Sequence, residues 1–155
     1  MRDDIAELFD LIQLSQVRKI DLLTDFLNIE YELKNVIPGG DELEITKLLE
    51  NQSMIIADTD ICDYEVSTKL DQIAGLTGID PRSSYTGKYF KNEKKYSEFI
   101  NRSKVIEKLI KKINILKSEN IQLMEDVAKE TKKYCAELDK INKVRNRFAK
   151  DLQSS

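Results

Sequence analysis

Histidine and tryptophan are absent from the 155 residues, and proline occurs only twice, glycine five times and cysteine twice. Each scarcity excludes something. Without histidine the chain lacks the commonest general base and the commonest metal ligand. Cys62 and Cys135 stand far apart with no CxxC spacing, so neither a disulfide framework nor a zinc knuckle is expected. The plain reading of each is a small buried thiol at a helix position. Few prolines and glycines remove the turns that a β-rich chain needs. No apolar run reaches the roughly 20 residues of a membrane span. The opening MRDDIAELFD is acidic and lacks the apolar core of a signal peptide. The expectation is a cytoplasmic protein with no membrane insertion.

Charge is plentiful. Asp, Glu, Lys and Arg make up 34% of the chain, yet the formal net charge is only −3. The two halves differ. Residues 1–80 hold six Lys/Arg against eighteen Asp/Glu, and residues 81–155 hold nineteen against ten. A basic half can attract nucleic acid. This one lacks the Arg clusters and interleaved aromatics of a nucleic-acid platform. Acidic helices packing beside a basic one is the simpler expectation, with no nucleic-acid partner.

Apolar spacing divides the chain into three helices. In the first, residues 4–36, Ile5, Phe9, Ile12, Ile20, Leu23, Leu27 and Tyr31 recur three and four apart. Leu22, Phe26, Ile29 and Leu33 form a second stripe beside them. A face that wide suits a helix with two neighbours. Ser15–Gln16 is a candidate bend. Ile37-Pro38-Gly39-Gly40 stops the helix, because Pro38 has no amide proton and glycine accepts positive φ. Asp41 then stands as an N-cap three residues before Glu44. The second helix, 41–76, has Ile45, Leu48, Leu49, Gln52, Ile55, Ile56, Thr59, Cys62, Val66, Leu70 and Ile73 at core spacing. So short a turn makes the first two helices antiparallel. Gly75, Gly78 and Asp80-Pro81 end the second. Residues 77–93 form a loop, with Tyr85, Tyr89 and Phe90 expected to pin it to the bundle end; an aromatic ligand pocket there is the minor alternative.

The third helix, 94–152, contains no glycine or proline. Every seventh residue reads Phe99, Ile106, Ile113, Asn120, Val127, Tyr134, Ile141, Phe148. Asn120 interrupts this apolar series either to fix register between helices or to meet the backbone of a partner. At 1.5 Å per residue the third helix is roughly 88 Å long and the other two are about 50 Å. The second helix can then cover the third only to about Lys129. Tyr134, Leu138, Ile141, Val144 and Phe148 continue the stripe beyond that cover. Their burial is worth roughly 8–15 kcal/mol as an upper bound. A second copy, a folded-back N-terminus or another protein should cover them. The fold expected is all-α: an antiparallel helical bundle or coiled coil of three helices in one domain, with a long C-terminal helix.

Catalytic motifs do not appear. GxxxxGK[ST], GxGxxG, GxSxG and HExxH are all missing. Asp58, Asp60, Asp63 and Glu65 crowd one helix, but without the order of a calcium loop they read as a solvated acidic face. The chain therefore reads as a binding protein without cofactor or metal, and not as an enzyme.

Three segments carry a resemblance. A helix of about thirty residues ends in a glycine turn followed by GGDELEITKLLENQSMII; the second helix ends in LTGIDP; and the long helix carries INILKSENIQLMED, with Leu116 four residues before Asn120. Across nearly its whole length this layout resembles the FlgN-type flagellar export chaperones. Pro38 in the turn and the aromatic-rich loop at 79–93 depart from the family pattern. The resemblance implies a cytoplasmic chaperone for flagellar type III secretion, which holds hook-associated (hook–filament junction) proteins before export by their C-terminal amphipathic helices. The implied partner-binding residues are Leu123, Val127, Tyr134, Leu138, Ile141 and Phe148, to which the overhang argument adds Val144. The alternative is a structural scaffold whose C-terminal helix pairs with itself in a homodimer.

Overall fold

The computed structural model describes residues 1–83, 89–90 and 93–154, with side chains to residue 151. Three helices account for nearly all of it: α1, Asp3–Val36; α2, Glu42–Thr77; and α3, Lys94–Ser154. The three-helix bundle with a long last helix is the architecture expected from the apolar spacing.

The junctions follow local chemistry. After α1 a single 3-10 turn, Ile37–Gly39, carries Pro38 where a missing amide proton costs nothing. Gly40 closes it at φ 66°, a left-handed conformation that a Cβ would strain. The Asp41 carboxylate accepts the Glu44 amide at 3.2 Å and so caps α2. Gly78, at φ 73°, ends α2, its amide donating to the Ala74 carbonyl at 2.8 Å. Gly75 does not break the helix; it lies inside α2, where its missing side chain faces open space.

Helix α1 is the shared partner. Its backbone runs close to both α2 and α3, which scarcely approach one another. The residues that meet show α2 antiparallel to α1 and α3 parallel to it. Three apolar clusters stack along the bundle. At the loop end Phe9, Ile12, Leu70, Ile73, Phe90 and Phe99 pack together. Phe9 takes the edge of Phe90 at 5.8 Å between ring centroids, a favoured aromatic geometry. Phe90 thus pins the loop to the bundle, and Tyr89, though exposed, sits edge-on against it at 4.7 Å. Tyr85 lies outside the described residues. The middle cluster joins Leu23, Phe26 and Leu27 to Ile113 and Leu116. At the turn end Leu33, Ile37 and Leu48 meet Leu123, Met124 and Val127.

Several side chains depart from the pattern. Ser15 and Gln16 do not interrupt α1, which runs from Asp3 to Val36. The Ser15 hydroxyl donates to Glu65 at 2.7 Å; the Gln16 amide donates to Ser103 at 3.1 Å, and Arg102 donates to its oxygen at 2.7 Å. That polar layer ties α1 to both neighbours. Tyr31 turns outward, and Glu30 takes the inward position. Leu49 and Ile56 are not core; they sit at the exposed margin of α2. Cys62 is buried, and its burial pushes the thiol above its ordinary pKa. Cys135 is exposed on α3, contrary to the buried thiol expected there.

Charge compensation between helices runs in both senses among the described residues. Lys95 pairs with Asp10 at 2.7 Å in the expected sense, but Lys34 with Glu119 runs the other way. Most acidic residues of α2 and most basic residues of α3 point to solvent in different places.

Candidate functional site

The site is built from one mismatch of length. With 61 residues α3 is roughly 92 Å long, against about 51 Å for α1 with 34 residues. The two helices start near the same end and run side by side. Phe99 lies against Phe9, and the Asn120 amide reaches Glu30. Where α1 stops, at the turn, α3 has reached Val127. Every described residue from Ala128 to Asp151 is exposed, a bare segment of roughly 36 Å.

The stripe does not stop with the cover. Phe99 and Ile113 are buried on α1, and Val127 is half-buried. The same seven-residue series continues in Tyr134, Ile141 and Phe148. Tyr134 is 62% exposed and Phe148 65% exposed; Leu138, Ile141 and Val144 are exposed between them. Ile141, Val144 and Phe148 line a shallow apolar depression with the stems of Lys140 and Arg145. An uncovered row of large apolar side chains on a lone helix marks an interaction surface.

The seven expected binding residues therefore divide in two. Leu123 and Val127 are half-buried against the turn cluster. They form the inner end of the stripe and serve the bundle itself. Tyr134, Leu138, Ile141, Val144 and Phe148 form the free surface.

Charge borders the stripe unevenly. Lys129, Lys133, Lys140 and Arg147 fall along one edge at helical spacing. The other edge carries Thr131, Cys135, Asn142 and Asn146. Glu137 and Arg145 stand within the stripe. Residues 128–151 hold eight Lys/Arg against four Asp/Glu.

Asn120 lies below this surface and takes no part in it. Its Nδ2 donates to the Glu30 backbone carbonyl at 2.8 Å and to the Glu30 carboxylate at 2.7 Å. Gln52 donates to the other carboxylate oxygen at 2.9 Å. One side chain from each helix thus meets in a buried layer, with Glu30 and Asn120 each only 2% exposed. Of the two readings of Asn120, the register-fixing one matches this contact. The Asn120 Oδ1 has no hydrogen-bond partner. Glu30 was missed in the sequence. Its signal was its place between Leu27 and Leu33 on the inward face.

In the acidic cluster of α2, Asp63 pairs with Lys19 and Glu65 accepts Ser15. Two of its four carboxylates are thus spent on holding α1. Among the described residues no helix is long and apolar enough to cross a membrane. Comparison with protein-family models, with curated proteins and with solved structures finds nothing that matches this chain.

Proposed function

We propose that this chain is a non-enzymatic binding protein that captures an amphipathic helix along the bare end of α3. The observation that carries the reading is the continuation of the buried stripe into Tyr134, Leu138, Ile141, Val144 and Phe148, all exposed, with none of the described residues covering them. A partner helix laying its apolar face along this row removes both apolar surfaces from water. The capture needs no metal, nucleotide or covalent step.

The finer reading follows the resemblance. The protein is a cytoplasmic export chaperone of the FlgN type, and its clients are hook-associated proteins held by their C-terminal helices. Covering such a helix keeps it from aggregating and presents it for export. The bundle of α1, α2 and the first half of α3 is then the handle, and the overhang is the grip.

Substitution of Leu138 and Ile141 by Glu tests the grip. Neither side chain touches the bundle of its own molecule, so the helicity and melting of the monomer should stay near those of the parent. Retention of client C-terminal peptides, measured by calorimetry or co-elution, should be lost. Undiminished capture by that variant would place the site elsewhere. Capture of unrelated amphipathic helices in preference to hook-associated ones would remove the flagellar assignment while leaving a helix-binding protein.

A further inference from the structure

The overhang has a counterpart on the same molecule. The outer face of α2 carries Met54, Ala57, Ile61 and Tyr64 at steps of three, four and three residues, a second apolar stripe pointing away from the bundle. Met54, Ile61 and Tyr64 are exposed, Tyr64 at 74%. Its borders are acidic. Asp58 and Glu65 flank one side and Asp60 the other. The overhang is thus an apolar row edged on one side by lysines, and α2 offers an apolar row bordered by carboxylates.

Direction also agrees. Helix α2 begins at the turn, the end of the bundle from which α3 emerges. A second copy turned over by a two-fold axis at that end places its α2 beside the first copy's overhang. Both segments then start at the same level and run the same way. The overhang is roughly 36 Å long, and the Met54–Tyr64 stripe of α2, roughly 16 Å, lies level with its outer half. A two-fold axis repeats the contact, so each copy's overhang lies on the other's α2. The contact is closed, as a dimer requires. Glu137 and Arg145 are the charges inside this row; with the two helices running the same way, the lysine edge faces the Asp58–Glu65 border and Arg145 faces the Asp60 side.

We infer that, without another partner, two copies pair reciprocally, the overhang of each α3 docking on the outer stripe of the other's α2. This does not depend on the client. If a client helix uses the overhang, it must displace α2 of the second copy. The homodimer is then a resting form in which the capture surface is covered.

Charge exchange in the full-length protein tests the pairing. Light scattering over a range of concentrations should show a monomer–dimer equilibrium, weakened severalfold between 0.1 and 0.5 M salt as the bordering charges are screened. The double variant Lys133→Glu/Lys140→Glu should weaken the dimer at least tenfold, and Asp58→Lys/Asp60→Lys should do the same. Mixing the two variants should restore a heterodimer, because both contacts then join opposite charges. Failure of the mixture to pair would overturn the proposal, as would a parent chain that is monomeric at every concentration. Direct placement comes from a nitroxide on Cys135, the exposed thiol, with an isotope-labelled unmodified copy as reporter. Broadening should fall on amides of residues 54–64. Broadening confined to residues 128–151 would mean that two overhangs pair with each other, and the α2 contact would be wrong. A null result here leaves client capture standing, and undiminished capture by the Leu138/Ile141 variant, which would overturn the capture reading, leaves the dimer standing.

Discussion

Asn120→Asp is the sharpest perturbation of the buried layer, because it swaps an amide for a carboxyl of the same shape. In the parent, Nδ2 of Asn120 lies 2.7 Å from a Glu30 carboxylate oxygen. An ionised carboxyl there would face another at about 3 Å. With an effective dielectric constant near 20 the repulsion is about 5–6 kcal/mol. The variant can avoid it by staying protonated and donating its proton to Glu30. Holding a carboxyl of ordinary pKa near 3.9 protonated at pH 7 costs about 4 kcal/mol. The cheaper route sets the penalty, so the loss at pH 7 is about 4 kcal/mol, plus about 1 kcal/mol for the lost bond to the Glu30 carbonyl. The sign of the pH dependence follows. The folded-state pKa of the new carboxyl is raised, so its penalty is absent below the unfolded value and grows as pH rises above it. Urea denaturation of parent and variant between pH 4 and pH 7 measures the difference. The variant should fall within about 1–2 kcal/mol of the parent at pH 4 and lie about 5 kcal/mol below it at pH 7. A difference that does not change with pH would mean that the two side chains do not meet.

Other outcomes follow from the same packing. At concentrations where the chain is monomeric, truncation after Ala128 should change the unfolding free energy by no more than about 1 kcal/mol, since residues 128–151 are exposed; a calorimetric loss of several kcal/mol in the monomer would show that the overhang folds back. Phe9→Ala, in the aromatic cluster at the loop end, should cost about 3–5 kcal/mol by chemical denaturation. Asp41→Ala removes the cap on α2 and should cost about 1 kcal/mol. A thiol reagent at pH 7 should modify Cys135 rapidly and Cys62 only on unfolding, because burial keeps the Cys62 thiol protonated and out of reach.

Much of the fold was legible because the helices are long and strongly punctuated. The expected helix of 41–76 is Glu42–Thr77, and the expected cap at Asp41 makes its bond to Glu44. These signals are local: a missing amide proton at Pro38, a glycine that accepts positive φ, a carboxylate within reach of a free amide. The bare stripe was legible too, since it needed only two helix lengths and a heptad series. The angular width of cover was not. Periodicity assigned Leu49 and Ile56 to the core, yet α2 packs mainly on α1 and leaves both at its margin. Nor was the partial cover at the inner end of the stripe legible. Leu123 and Val127 share the stripe with Tyr134, but only the position of the turn shows that they are partly covered.

What the residues by themselves determine here is each helix, its ends, its apolar face and the excess length of the last one. All of these depend on neighbours within a few turns or on simple counting. Which polar groups turn inward is decided elsewhere. Glu30 can stay buried only because Gln52 and Asn120 donate to it, and those partners lie 22 and 90 residues away along the chain. A carboxylate without them would cost several kcal/mol in the same place. No pattern within α1 distinguishes the two cases; the packing of three helices around one side chain does.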